Sequence, residues 1–341
     1  MGLSGKKGVL LVNLGTPDSP TRGAVYRYLK EFLLDWRVID INPVSRNLLV
    51  RGIIAPFRSG SSAKGYKELW TPEGSPLKVN AVRLTELVRE KLEPEYEVVL
   101  AMRYQSPSIE AAIKELMAKK VSEIIVFPLF PHYASASTGS VHEEVMRILA
   151  KQQVIPNLKL INSFYDHPMF IEAFTQRGLE HNIEEYDHVL FSYHGLPQRQ
   201  MMKADSGDHC IKTENCCATI GIHNQYCYSA QCYATTAALV KKLDLKEGQY
   251  STSFQSRLGK TPWIQPYTTD MLKTRYDAGD RRILVFCPAF VSDCLETTIE
   301  ISSEYDEDFK AMGGDHLQLV ESLNDHPVWV DAVCTMIKEG A

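Results

Sequence analysis

Several short apolar runs, each ending at Gly or Pro and followed by a stretch of helical spacing, constrain this chain more than any other feature. They occupy residues 8–14, 96–102, 123–129, 188–193 and 282–286. Strands that alternate with helices demand βαβ units and a mostly parallel sheet covered on both faces, so the fold class is α/β. In such sheets ligands sit beyond the carboxyl ends of the strands, where loops meet helices. The residues just after each run are therefore the ones to read for chemistry.

A weak internal repeat sharpens this expectation. The segment MRYQSPSIEAAIKELMAKKVSEIIVFPLFPHY resembles SFQSRLGKTPWIQPYTTDMLKTRYDAGDRRILVFCPAF, and KKGVLLVNLGTP echoes YDHVLFSYHGLP. Two similar α/β halves with a cleft between them account for the repeat. The length of 341 residues accommodates both halves. The expected division is 1–160 plus a returning C-terminal helix in 315–341 for the first half, and 161–314 for the second. The second half would carry a cysteine-rich insertion at 205–232.

Composition excludes several classes of function. Charged residues are 23% and hydrophobic residues 44%, which are ordinary globular values. Lys plus Arg (37) falls below Asp plus Glu (42), against nucleic-acid binding by bulk charge. The chain has no G-x-G-x-x-G and no G-x-x-x-x-G-K-[ST], so a nucleotide partner is unsupported. It also lacks G-x-S-x-G and H-E-x-x-H. The N-terminal apolar run meets Gly-Thr-Pro with no small-residue cleavage site and reads as a first strand, not a signal peptide. No run approaches the length of a membrane span, which gives a cytoplasmic expectation. Contact with a membrane surface stays open. Val25, Tyr28, Leu29, Phe32, Leu33 and Trp36 form a helical stripe expected to face the core. The stretch RGIIAPFRSGSSAKGY then mixes Ile and Phe with Arg51, Arg58 and Lys64, an apolar lip with cationic spots. Such a lip suits a flat hydrophobic ligand bearing carboxylates, or a membrane surface.

Two constellations carry chemistry. His194 lies in FSYHGLP, after a strand and before Gly195 and Pro197. The forced turn should project its imidazole at the strand's carboxyl end, where it serves as a base or metal ligand, or simply hydrogen-bonds the turn. In CPAFVSDCLETTIEI, a helix is expected from Ser292 or Asp293. Glu296, Glu300 and Glu304 would then line one face, with Asp293 and Glu296 as a capping box.

FSYHGLP together with CPAFVSDCLET resembles the ferrochelatases, enzymes that insert ferrous iron into a porphyrin. The similarity runs through NLGTP (13–17), GSPL (74–77), MRY (102–104), FPHYASASTGS (130–140), FQSRLG (254–259), PW (262–263) and ESLNDHP (321–327), in family order. The resemblance implies two Rossmann-like halves, each a parallel four-stranded sheet flanked by helices, with a porphyrin cleft between them. It puts the family's histidine on His194 and its catalytic glutamate on Glu296, both toward the substrate iron. It implies an acidic path through Asp293 and Glu300. It suggests porphyrin contacts by Leu14, Arg103, Tyr104, Trp263 and Phe290, with Arg58 and Ser75 meeting propionates. Protoporphyrin IX and Fe²⁺ would be the partners. Coproporphyrin as substrate, a chelatase for another metal or tetrapyrrole, and a non-catalytic porphyrin or iron–sulfur sensor on the same scaffold are the alternatives.

Five of the eight cysteines, Cys210, Cys216, Cys217, Cys227 and Cys232, crowd into one short stretch. Their spacing C-x₅-C-C-x₉-C-x₄-C differs from zinc ribbons, which pair C-x₂₋₄-C. Thiolates of this kind can hold a [2Fe–2S] cluster, which needs four. Zinc, disulfides or unligated thiols are the alternatives. The resemblance favours the cluster, because some ferrochelatases hold one in an internal insertion. Cys232 is the weakest of the five as a ligand, and neighbouring Cys216 and Cys217 are expected to diverge in extended chain.

Overall fold

A computed structural model describes residues 5–340 apart from 206, 208, 214 and 260. The ends of the expected first domain and three positions of the expected insertion lie outside the described residues. Two compact units emerge. The first comprises Met1–Phe130, Ser135–Ser163 and Trp329–Ala341, and the second Pro131–Ala134 and Phe164–Val328.

The first unit is built on β1 (Lys7–Gly15), β2 (Tyr96–Tyr104), β3 (Glu123–Pro128) and β4 (Asn157–Leu160), in the order β2-β1-β3-β4. The second repeats it with β5 (His188–His194), β6 (Tyr250–Gln255), β7 (Arg282–Phe286) and β8 (His316–Leu319), in the order β6-β5-β7-β8. Every ladder is parallel. Helices flank both sheets, as the alternating pattern requires. The central strands read as near-continuous apolar runs because both faces are covered. Leu10, Val12, Val99, Ile124 and Val126 are buried in the first core, and Leu190, Ile283, Val285 and Leu317 in the second. The strands β4 and β8 escaped the apolar-run reading. They are four-residue strands whose burial alternates, so they carry no continuous apolar signal.

The expected core stripe holds over the helix Arg22–Leu34, where Val25, Tyr28, Leu29 and Leu33 are buried. Trp36 lies past the helix end and is 48% exposed. The lip region is continuous helix through Pro43–Leu49, a π-helical Val50–Ile54 and Ala55–Leu69. Val44, Leu48, Ile53 and Phe57 are exposed along it, as are Arg51, Arg58 and Lys64. Among the described residues no helix is long and apolar enough to cross a membrane.

The sharpest local constraint is Gly15, the last residue of β1. Its φ is +112°, and a Cβ there would lie 2.0 Å from the carbonyl oxygen of Tyr104, its register partner on β2. Only glycine permits both the dihedral and the approach. Gly15→Ala is expected to cost more than about 2 kcal/mol of stability. Gly60, helical with open space at its Cβ position, should gain about 0.5–1 kcal/mol as Ala. Urea midpoints of the two variants check the pair, and equal midpoints would refute the steric account.

Candidate active site

The second unit carries the histidine and the acidic helix on adjacent strand ends. His194 closes β5 and is half-buried. Its Nδ1 lies 2.6 Å from the carbonyl oxygen of Gly195. A carbonyl only accepts, so Nδ1 bears the proton and a neutral ring keeps its lone pair on Nε2. Two backbone contacts hold this turn. Gly195 N–H donates to the Gln255 carbonyl at 2.8 Å, and the Tyr228 hydroxyl donates to the His194 carbonyl at 2.9 Å. The rings of Trp263 and Phe290 flank the imidazole, with centroids 6.5 and 6.3 Å away. Two of the expected porphyrin contacts are thus gathered around the expected catalytic histidine.

The acidic segment differs from its expected form. It is an eleven-residue π-helix, Leu295–Tyr305, not an α-helix from Ser292 or Asp293. Its cap is Cys294, paired reciprocally with Thr297, so the Asp293–Glu296 capping box is corrected. Apolar and acidic periodicity cannot separate an i→i+4 helix from an i→i+5 one, and π segments concentrate at functional sites. Asp293 instead ties down the loop 322–324, accepting from Ser322 N–H at 3.2 Å and Asn324 Nδ2 at 2.7 Å. Glu296 opens the π-helix half-exposed, and its carboxylate pairs with the Cys294 thiol. Glu300 is fixed more firmly. It accepts from Ser256 Oγ (2.5 Å), Tyr305 OH (2.8 Å) and Gln255 Nε2 (3.2 Å). Burial and the neighbouring carboxylate push the Tyr305 hydroxyl well above its ordinary range, so it remains a donor. Glu304, the last of the expected stripe, is exposed.

Gln255, Ser256, Tyr305 and Tyr228 are the residues that sequence reasoning missed. The first two stand in the FQSRLG segment, which was noticed as a motif without a role. Tyr228 was hidden beside Cys227.

The remaining expected contacts lie in the first unit. Leu14 is half-buried at the end of β1. Arg103 does not stand free: it pairs with Asp35 at 2.8 Å and donates to Ser140 Oγ at 2.6 Å. Tyr104 is 1% exposed and donates to the same Asp35 at 2.9 Å. Ser75 is 2% exposed, with its hydroxyl 2.9 Å from that of Thr16. Arg58 is exposed on the lip. The structure therefore gathers Arg103 and Tyr104 around a buried carboxylate, and leaves Ser75 and Arg58 apart from them.

Four thiols cluster in the cysteine-rich stretch. Cys216 and Cys217 Sγ are 3.7 Å apart, because the chain turns here instead of running extended. Cys217 hydrogen-bonds Cys227, and burial together with the neighbouring Cys216 and Cys217 pushes the Cys210 thiol up to about 11. Asp205 gathers the backbone N–H groups of Gly207, His209 and Cys210, which holds Cys210 in place. Cys232 sits inside the helix Tyr228–Lys242, fully buried against Tyr228. All eight cysteines are free thiols. Among the described residues no three His, Cys, Asp or Glu side chains stand at metal-ligating spacing. Thiols are the donor type that iron–sulfur clusters take.

The comparisons with known proteins agree with one another. The family model described as Ferrochelatase matches residues 6–341. The ferrochelatase of Legionella pneumophila (strain Paris) is 44% identical over 334 residues, covering 98% of this chain and 99% of the relative. That of Coxiella burnetii (strain Dugway 5J108-111) is 43% identical over 336 residues, covering 98% and 94%. Among solved structures, SirB from Bacillus subtilis with Fe3+ aligns with a TM-score of 0.54 at 12% identity, covering 98% of this chain and 96% of its own, which supports the shared fold.

Three buried histidines give the fold a pH signature. Burial depresses His132 to about 3, and His142 and His188 to about 4. Unfolded, each titrates near 6.5, so between about 4 and 6.5 the unfolded chain binds protons that the folded chain refuses. Their contribution is complete above pH 6.5 and is lost as pH falls toward 4, at roughly 1.4 kcal/mol per pH unit for each. The urea midpoint should hold from pH 8 to 7 and fall steeply by pH 5. A flat midpoint down to pH 5 would contradict this.

Proposed function

The chain belongs to the ferrochelatase family and is a metal-chelatase enzyme, and from that premise we propose that it inserts Fe²⁺ into protoporphyrin IX through His194 and Glu296. The observation that carries this reading is the fixed imidazole. With Nδ1–H committed to the Gly195 carbonyl, the Nε2 lone pair is the free, basic position. The imidazole has the rings of Trp263 and Phe290 as neighbours, aromatic surfaces suited to a flat macrocycle.

The reaction releases two pyrrole protons as one Fe²⁺ enters. His194 Nε2 accepts the two pyrrole protons in turn, passing the first on to the carboxylates of the acidic path before it takes the second. Glu296 offers a carboxylate hard enough to bind ferrous iron and labile enough to release it. Glu300, held by three neutral donors, continues the acidic path along the π-helix. Asp293 keeps the loop at the path's mouth in register. Trp263 and Phe290 clamp the ring, and binding a bent macrocycle turns its nitrogen lone pairs toward the metal.

A second part of the proposal concerns the insertion. Cys210, Cys216, Cys217 and Cys227 are the four thiols that would hold a [2Fe–2S] cluster, with Cys232 spare in its helix. When bound, the cluster supplies a covalent staple and a redox-sensitive centre outside the catalytic pair, and so has a structural or sensory role. The exposed Val44, Leu48, Ile53 and Phe57 beside Arg51, Arg58 and Lys64 support peripheral contact with a membrane surface.

His194→Ala should lower the Fe²⁺ insertion rate by at least about 100-fold, the scale of a lost general base, while porphyrin still binds. Near wild-type insertion would sink the assignment. Parallel assays with protoporphyrin and coproporphyrin decide the substrate: faster turnover of coproporphyrin overturns that part alone. For the cluster, purified protein should show visible absorbance bands that bleach on reduction. Cys217→Ser should lose them and Cys232→Ser should keep them, whereas a colourless, iron-free, fully active protein refutes the cluster.

A further inference from the structure

The cysteine-rich stretch ends where the helix Tyr228–Lys242 begins, and Cys227 is the residue at its N-cap. The Cys227 side chain makes no capping hydrogen bond, so the stretch is tied to the helix end through the backbone: Cys227 N–H donates to the Asn224 carbonyl at 2.8 Å, and Gln231 N–H donates to the Cys227 carbonyl at 3.0 Å. The next residue, Tyr228, is 6% exposed. Its hydroxyl donates to the His194 carbonyl at 2.9 Å. One turn along, the Cys232 thiol is hydrogen-bonded to the same hydroxyl. The Tyr228 ring packs edge-on against His132, with centroids 5.8 Å apart, and His132 packs edge-on against Tyr193 of β5 at 5.3 Å. A buried tyrosine wedged this way has little freedom to change rotamer independently of its helix.

We infer that Tyr228 is a positioning residue that transmits the state of the cysteine-rich segment to His194. This rests on the reading above, in which His194 accepts pyrrole protons and the thiols hold iron. The peptide after His194 is pinned at both ends, by Tyr228 on its carbonyl and by Gln255 on the Gly195 nitrogen. The Nδ1–H bond to the Gly195 carbonyl depends on that peptide plane, because donor and acceptor belong to adjacent residues. A shift of the helix end at Cys227 is a shift of Tyr228, its covalent neighbour. Withdrawing the hydroxyl frees the plane, and the imidazole loses its single tautomer and its aim.

The test is a double-mutant cycle on the iron-loaded protein. Tyr228→Phe keeps the ring and its packing and removes only the hydroxyl. It should lower kcat for Fe²⁺ insertion by about 3- to 10-fold, the scale of one hydrogen bond, with KM for the porphyrin unchanged within twofold. Cys227→Ser should lower kcat in the wild-type background and cause little further loss in Tyr228→Phe. Independently, ring ¹⁵N shifts of His194 should report one tautomer in the wild type and a mixture in either variant, which a merely structural loss elsewhere would not produce. A wild-type kcat in Tyr228→Phe, losses that multiply in the double variant, or a Cys227→Ser rate equal to wild type would each overturn the inference. Failure of the underlying reading is separately visible, as missing cluster absorbance in the wild type or retained activity in His194→Ala.

Discussion

The side-chain amide of Gln255 is the fastening that joins the strand ending in His194 to the helix carrying Glu296 and Glu300. It is 1% exposed and stands at the end of β6, in register with His194. A buried primary amide must satisfy both its oxygen and its nitrogen. Its oxygen accepts from Ser192 of β5 at 2.8 Å, with the Cys287 thiol at 3.7 Å. Its nitrogen donates to the Glu296 carbonyl at 2.7 Å and to the Glu300 carboxylate. One planar group therefore sets the strand that ends in His194 and the helix that presents the two glutamates at a common height. A π-helix gains less from its own hydrogen bonds than an α-helix of the same length, so an external anchor on its first turn has unusual leverage.

The two units share strand order and the placement of a π segment after the third strand, Ser135–Gly139 in one and Leu295–Tyr305 in the other. Their chemistry has diverged. Where β5 ends at His194 with Gly195 after it, β1 ends in Leu14 and Gly15, so an imidazole in one unit has an apolar side chain as its counterpart in the other. Where the second π segment carries Glu296 and Glu300, the first reads Ser-Ala-Ser-Thr-Gly, and the carboxylate nearby is Asp35. It is neutralised by Arg103 and hydrogen-bonded by Tyr104 and Ser140. A carboxylate paired with a guanidinium in a buried site orients the groups around it as a structural post.

This contrast explains what the sequence made legible. The inner strands declared themselves because parallel strands covered on both faces cannot avoid continuous apolar runs. His194 was readable because Gly195 and Pro197 leave the chain no course but a turn. Glu296 and Glu300 were readable as an acidic row, but their helix type was not, since spacing alone fits either ladder. Tyr104 and Ser75 show where a local pattern stops. A motif names a residue without its direction, and both side chains turn inward, Tyr104 to Asp35 and Ser75 to Thr16. Cys216 and Cys217 were expected to diverge from the geometry of extended chain, and the turn between Thr213 and Ala218 reverses that. Direction is set by tertiary contacts distant in sequence, which no local pattern contains.

The donors around the carboxylates of the second unit complete the argument. Glu300 is held by a hydroxyl, a phenol and an amide, Asp293 by an amide and a backbone N–H, and Glu296 by a thiol. All of these donors are neutral. Hydrogen bonds from neutral groups orient a carboxylate without cancelling its charge, whereas a lysine or arginine would orient it and cancel it together. None of these three carboxylates has a lysine or arginine among the donors that orient it in the described residues. Asp35 of the first unit is mounted the other way, oriented by the Arg103 guanidinium at 2.8 Å.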